Sequence, residues 1–469
     1  MVVLSTSTPV NVAAPGSLRS ARLSGFLFFF LFAGQAVRNL IGWPGYITVA
    51  VILFALVFVE LWQRRSLSLL RRLPVTLLAF LTFSAASLIW SYYQWTTVLG
   101  LMGQWSAAAG GLFIALTLSW EQLLDALSSA LRWILGLSLL FEFFVTFALR
   151  DRLAPLWLSG VSGANGSTDN LPGAFYWSEN RLLELGPIQG IVGNRNLLAF
   201  IALLVVITCT LQLLRQFRLS HRMLAWLALA GITLALTRSA TVILAAVALA
   251  VVAGLVIVVR RSAARFRPYL YSAGWTVIGV GVTLSAMYAH TIFGLLGRGD
   301  MSNRTGIWKA VAALAEQRPL IGWGWVSYWA PWVYPYNNLI VIDGVEYLQA
   351  HNALLDVWLQ LGLLGAILAA ALALVASVRA WQFAVNAKVD PLLAALPLLL
   401  IAALLFQSLT ESRLLIEGNW LLFVALTAKL ALEHQRGSTR RTLWSEVSRV
   451  AGTAPTAVPQ RRYGLPIPR

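Results

Sequence analysis

From Ser239 to Val259 the chain carries no charged residue, and runs of this kind limit what it can fold into. A helix needs about 17–25 mostly apolar residues to cross the hydrocarbon core of a bilayer. Inside lipid every backbone N–H and C=O must be satisfied internally, so only helices and closed barrels can span it. The run is one of twelve, at 23–41, 45–62, 74–92, 103–119, 130–149, 194–214, 222–237, 239–259, 269–290, 352–378, 391–409 and 417–433. Hydrophobic residues make up 59% of the chain and charged ones 11%, against about 25% charged in soluble domains. The expected fold is an all-α integral membrane protein with about 12 transmembrane helices. Residues 1–22 form an N-terminal tail, 23–433 the polytopic membrane domain, and 434–469 a basic tail whose composition predicts disorder.

The formal net charge is +17, from 35 basic and 18 acidic residues. Nucleic-acid binding would gather that charge on one face. Here it sits beside the apolar runs, where attraction to anionic membrane lipids and the setting of topology account for it. Arg64, Arg65, Arg71 and Arg72 share a loop, as do Arg215, Arg218 and Arg222, and Arg260, Arg261, Arg265 and Arg267. Twelve spans put all of these on one side with both termini, and the positive-inside rule makes that side cytoplasmic. The polar start through Ser20 lacks the short apolar core and small-residue site of a cleavable signal. The single cysteine, Cys209, excludes an internal disulfide and reads as a small buried residue.

Two long segments then face outward, roughly 150–193 and 291–351. The first is rich in Gly, Ser, Asn and Pro and reads as a loop. The second holds a short amphipathic helix from Ser302 or Asn303, then the aromatic tract Pro319–Tyr336. Its Trp and Tyr rings are expected at headgroup level, where rings can also stack on sugars. Past them, His351, Leu354, Leu355, Trp358, Gly362 and Gly365 recur at helical spacing. They predict one helix face with two glycines admitting a neighbouring helix.

Arginines on the outward side break the charge trend and need a reason. Arg195 lies in Gly193-Asn-Arg-Asn196, Arg238 in Thr237-Arg-Ser239, and Arg304 opens the amphipathic helix. Charge at the membrane is costly unless paired or hydrated, and a guanidinium offers a planar fork suited to phosphate oxygens. Structural ion pairs with Glu179, Glu184, Asp300, Glu346 or Glu411, or snorkelling, are the plain alternative. Arg413 is expected to meet Glu411 or a substrate phosphate. His351 can exchange a proton near neutral pH, with Asn196, Asn352 and Glu411 as possible support. Asp356 lies five residues on, about 140° round the helix, and is expected to pair inside the bundle. No Walker A loop, Gly-x-Ser-x-Gly or His-Glu-x-x-His occurs. No outer acidic cluster suggests a metal, and no cofactor is expected.

The order of these motifs resembles the O-antigen ligase and O-antigen polymerase superfamily of bacterial membrane glycosyltransferases. Gly193-Asn-Arg-Asn196, Thr237-Arg-Ser239, Asn303-Arg-Thr-Gly-Ile-Trp308 with Pro319-Leu-Ile-Gly-Trp-Gly324, His351-Asn-Ala-Leu-Leu355 and Leu409-Thr-Glu-Ser412 follow in sequence. They cover about 190–420. The resemblance implies metal-independent transfer of a glycan from an undecaprenyl-pyrophosphate donor to a glycan or lipid-glycan acceptor, at the outer face of the bacterial inner membrane. It implies His351 as proton acceptor or acceptor positioner, and Arg195, Arg238 and Arg304 as the pyrophosphate grip. In Thr-Arg-Ser the arginine precedes the serine, whereas many members read Ser-Arg. A flippase for lipid-linked glycans is the competing class; no paired internal repeat supports it.

Overall fold

The computed structural model describes residues 17–63, 73–159, 172–216, 220–274, 276, 301–342 and 345–452. Arg64, Arg65, Arg71, Arg72, Arg218, most of the expected span 269–290 and the tail beyond 452 lie outside those residues. So do 160–171 of the first outward segment and the start of the second. The described chain is all-α apart from one hairpin of two-residue strands, β1 (Val341–Ile342) and β2 (Val345–Glu346).

The first helices set the pattern. α1 (Leu18–Phe32) is followed by α2 (Gly34–Gln63), which is broken at Gly42, where φ is 68°. Phe30 stacks on Tyr46 at 4.8 Å, and Arg19 pairs with Glu60 at 3.2 Å. The chain therefore reverses at Gly42–Gly45, as the boundary between the first two predicted spans requires. α3 (Val75–Ala86), α4 (Gln94–Thr117) and α5 (Trp120–Phe144) continue the bundle. A side chain on Gly111 of α4 would meet the Leu421 carbonyl at 2.7 Å. Small residues thus let α4 approach the last helix, α12 (Glu417–Gly452), closely. That helix runs on past the predicted end of the span at 433 into the tail read as disordered.

The middle of the chain packs as α6 (Arg195–Arg215), α7 (His221–Thr237) and α8 (Ala240–Arg261). After α9 (Met301–Ala315) come α10 (Ala353–Ala384) and α11 (Pro391–Ser408). The sequence predicts twelve crossings. Among the described residues seven helices are long and apolar enough to cross a membrane: α2, α4, α5 with its following π turn, α6, α8, α10 and α11. α7 and the Val75–Ile89 stretch are apolar but shorter. Cys209 is buried in α6 as a core residue.

α10 departs from its predicted form. His351 lies outside the helix with φ 50°, and Gly362 breaks the helix with φ 67°. Gly362 does not receive a neighbouring helix. A side chain there would meet the Leu320 backbone at 2.2 Å, so the glycine admits the loop that follows α9. Leu363 and Leu364 N–H donate to the Pro319 and Leu320 carbonyls at 2.7 and 3.2 Å. Trp323 and Gly324 N–H donate to the Leu359 and Gln360 carbonyls at 3.1 and 2.8 Å. The groups freed by the break are thus paired by one inserted loop.

The break also folds the first part of α10 over the bundle. α10 and α11 run antiparallel, so a residue near 366 is level with Ser408. An unbroken helix rising 1.5 Å per residue would carry Asn352 about 20 Å further. Instead Asn352 donates to the Leu409 carbonyl at 3.3 Å. The aromatic tract forms the core beneath this cap. Trp323, Trp325, Trp329 and Tyr336 are buried, while Trp332 and Tyr334 are exposed. The expected surface of interfacial rings is therefore mainly an interior, centred on Asp356, which accepts from Trp329 Nε1 at 2.8 Å and Gln360 Nε2 at 3.0 Å. That is the internal pairing predicted for Asp356.

Gly362→Ala should destabilise the fold by about 2–4 kcal/mol, combining a left-handed backbone with overpacking. Thermal unfolding in detergent measures this; Gly254→Ala, where no atom lies within 4 Å of the new methyl, should leave the transition unmoved.

Candidate active site

One end of the bundle gathers the predicted residues. α9 presents Arg304 and Trp308, four residues apart and so on one face, while Ile307, Val311 and Leu314 are buried. Trp308 Nε1 donates to the Ala350 carbonyl at 3.1 Å, which fixes the residue before His351. The Asn352 side chain caps α10 by accepting from Leu355 N–H at 3.1 Å. Asn352 N–H in turn donates to Ser412 Oγ at 3.3 Å. Held on both sides, His351 takes a left-handed backbone that few non-glycine residues adopt. Its ring points to Glu411 and lies edge-on to Tyr347 at 5.9 Å.

Glu411 is the centre. Its carboxylate is buried, with 4% of the side chain exposed. Oε2 lies 3.4 Å from His351 Nδ1 and accepts from Gln349 Nε2 at 3.3 Å. Oε1 accepts from Asn196 Nδ2 at 3.0 Å and lies 3.8 Å from an Arg304 amine. Asn196 is oriented by Ser239, whose hydroxyl donates to its Oδ1 at 3.0 Å. Burial alone would raise this carboxyl. The field and hydrogen bond of His351, then the charges of Arg304 and Arg413, outweigh it and bring the group from 4.5 to about 2. The carboxylate is therefore a fixed negative charge at neutral pH.

The other predicted arginines are spread around this centre. Arg195 is the first residue of α6, on a turn fixed from α5. There the buried Glu142 accepts from Gln189 and Gly190 N–H at 3.0 and 2.6 Å. Asn194 caps the helix, accepting from Asn196 and Leu197 N–H at 2.9 and 3.2 Å. Arg238 is exposed, left-handed at φ 47°, and donates to the Glu184 carbonyl at 3.0 Å. It does not join the Glu411 group, whereas the neighbouring Ser239 does. Arg413 pairs with Glu417 at 3.5 Å rather than with Glu411, although its charge acts on both.

Four participants were not singled out in the sequence: Gln349, Ser239, Arg38 and Glu417. Arg38 carried a usable signal, as a basic residue at the outward end of the first predicted span. Beneath Asn196 and Glu411 lies a small cavity, with room for about one water, walled by Phe200, Val242 and Ala245.

Residues 223–370 match the family model described as O-antigen ligase. Over this segment the chain is similar to the O-antigen ligase and polymerase superfamily. The match contains His351, Arg304 and Arg238, while Asn196 and Glu411 lie on either side of it. No curated protein matches the chain.

A folded carboxyl held below its unfolded value contributes stability that is present above the unfolded pKa and lost as pH falls through the folded one. Wild type should therefore unfold at a higher temperature than Glu411→Gln above pH 4.5. The gap should narrow steadily as pH is lowered towards about 2, the range spanned by the Glu411 shift, in paired detergent melts.

Proposed function

We propose that the chain is a membrane glycosyltransferase moving a glycan from an undecaprenyl-pyrophosphate donor to an acceptor hydroxyl. The acceptor is a lipid-linked core in a ligase, or a growing glycan in a surface-polysaccharide polymerase. The observation that carries this reading is His351 held against the ionised Glu411, with Arg304 and Asn196 on the other carboxylate oxygen.

The carboxylate on the Nδ1 side favours the tautomer with its proton on Nδ1, leaving Nε2 as the acceptor. Nε2 takes the proton of the attacking hydroxyl as that oxygen bonds to the sugar's anomeric carbon. The carbon–oxygen bond to the pyrophosphate breaks, and the leaving group keeps the electron pair. Arg304, with Arg195 nearby, supports the charge that develops on the phosphate oxygens. Arg238 can serve only by leaving its Glu184 contact. In this reading charge stabilisation comes from guanidinium groups without a metal.

The outer face of the cytoplasmic membrane is supported by charge. Arg19, Arg215, Arg260 and Arg261 sit at the helix ends opposite the site, where Arg215 meets Glu121 at 2.5 Å and Arg260 meets the Ala384 carbonyl at 2.6 Å. The positive-inside rule puts that end in the cytoplasm. It leaves His351 outside, with the twelve-span count and cytoplasmic termini.

The test is reconstitution with a radiolabelled undecaprenyl-pyrophosphate glycan and candidate acceptors. His351→Ala should lower transfer by about 100-fold or more, the usual range for a lost general base, with its melting transition retained. Arg304→Ala should chiefly raise KM for the donor. Undiminished transfer by a folded His351→Ala would remove the base role, and lipid crossing the bilayer without glycan release would indicate a flippase.

A further inference from the structure

We infer that Arg38 and Arg413, holding Glu417 between them, form a second anion subsite continuous with the transfer site, in which the carboxylate occupies the place of a phosphoryl oxyanion. The inference rests on the transfer-site reading above and extends it to the first helical hairpin.

Arg38 belongs to the helical turns before the Gly42 break and is 5% exposed. It donates to Glu417 Oε1 at 2.5 Å and to Gln35 Oε1 at 3.0 Å, and lies over the rings of Trp43 and Tyr46 at 5.0 and 4.9 Å. The other oxygen of Glu417 receives Arg413 at 3.5 Å, and Arg413 lies over Tyr328 at 5.8 Å. With Arg413 acting on both carboxylates, Arg38, Arg304 and Arg413 face two anions, Glu411 and Glu417. A clamp serving only to join the hairpin to α12 would be satisfied one to one, because an extra desolvated charge works against it. The surplus is what a second, exchangeable anion would neutralise.

Two further observations point to a ligand. The buried Tyr328 hydroxyl faces Glu417, but no acceptor meets it in good hydrogen-bond geometry. A tetrahedral phosphoryl group, with more acceptor oxygens than a carboxylate, could serve it along with both guanidiniums. Glu417 itself has φ 48°, a backbone that a non-glycine residue adopts at a cost and that clusters at ligand clamps.

The subsite adjoins the transfer site. A side chain on Gly193 would lie 3.5 Å from Asn39 Nδ2 and 3.6 Å from Gln35 Cγ, so the turn carrying Arg195 rests on the Arg38 helix. Arg413 is two residues from Glu411. One ligand could thus reach both carboxylates' cations. The phosphoryl group would come from the donor's pyrophosphate or from a phosphate on the acceptor.

Calorimetric titration of the full chain in non-ionic detergent separates these cases, with inorganic pyrophosphate and glucose 6-phosphate as probes. If Glu417 competes with the ligand, Glu417→Gln should bind pyrophosphate about tenfold more tightly, and adding Arg38→Gln should cancel the gain. A gain confined to glucose 6-phosphate would support the subsite and assign it to the acceptor. Unchanged or weaker binding of both probes by a folded Glu417→Gln overturns the subsite. Should that variant not fold, Arg413→Lys, which loses the planar fork, should weaken binding about fivefold, and no change there overturns the subsite equally. Arg304→Ala tests the first reading separately. If it loses pyrophosphate while the Glu417 and Arg38 variants behave as wild type, the transfer site stands and the second subsite falls. If it binds normally while Glu417→Gln tightens and Arg38→Gln reverses it, the subsite stands and the Arg304 role falls.

Discussion

A single buried carboxylate organises the site. Glu411 draws donors from three separate parts of the chain: Asn196 at the start of α6, Arg304 on α9, and Gln349 with His351 before α10. An isolated anion at that depth would be strongly disfavoured. It is tolerated because each oxygen accepts from a neutral amide, with Arg304 beside one and the His351 ring beside the other. The same arrangement holds the imidazole in one orientation and keeps Arg304 near it. Stability and chemistry therefore depend on the same contacts, and removing the carboxylate would leave Arg304 and the His351 ring facing each other across a space built for an anion.

The cap over the bundle end depends on a different device. Gly42 and Gly362 break their helices with nearly the same backbone, φ 68° and 67° with ψ −177° and −171°. At Gly42 the chain reverses and places Arg38 beside Glu417. At Gly362 it accepts the loop after α9, whose backbone pairs with the helix ends the break exposes. Charged side chains at this end are thus carried on short, rigid helical pieces rather than on free loops, which suits a site that must hold its geometry.

Much of this was legible in the amino-acid pattern. Arginines out of keeping with the charge distribution, a histidine between polar residues and an apolar run, and an acidic residue near the end of the chain were each conspicuous. Three of them, Arg304, His351 and Glu411, come together, with Asn196 beside them. What periodicity does not encode is which distant residues touch. Arg38 and Glu417 are 379 positions apart, and nothing local to either shows their pairing. Gly362 looked like a helix-packing glycine because its spacing fits one; only the inserted loop shows it to be a break. Arg238 already departs from the Ser-Arg order of many family members, and its left-handed turn directs it to a backbone carbonyl and leaves Ser239 facing Asn196. The aromatic tract reads the same whether its rings face lipid or one another, and Asp356 as their acceptor decided for the interior.

The placement of Asn196 and Glu411 on either side of the 223–370 segment has a bearing on how such a site can be inherited. The segment carries the imidazole but not the anion beside it, nor the amide that completes the anion's shell. A crossover exchanging only this stretch between two diverged chains would bring His351 and Arg304 to foreign partners, and the charge balance would survive only if both parents kept the same two flanking residues. The unit that recombination must move intact reaches from the α6 cap to the turn before α12, nearly half the chain, although the recognisable motif is much shorter.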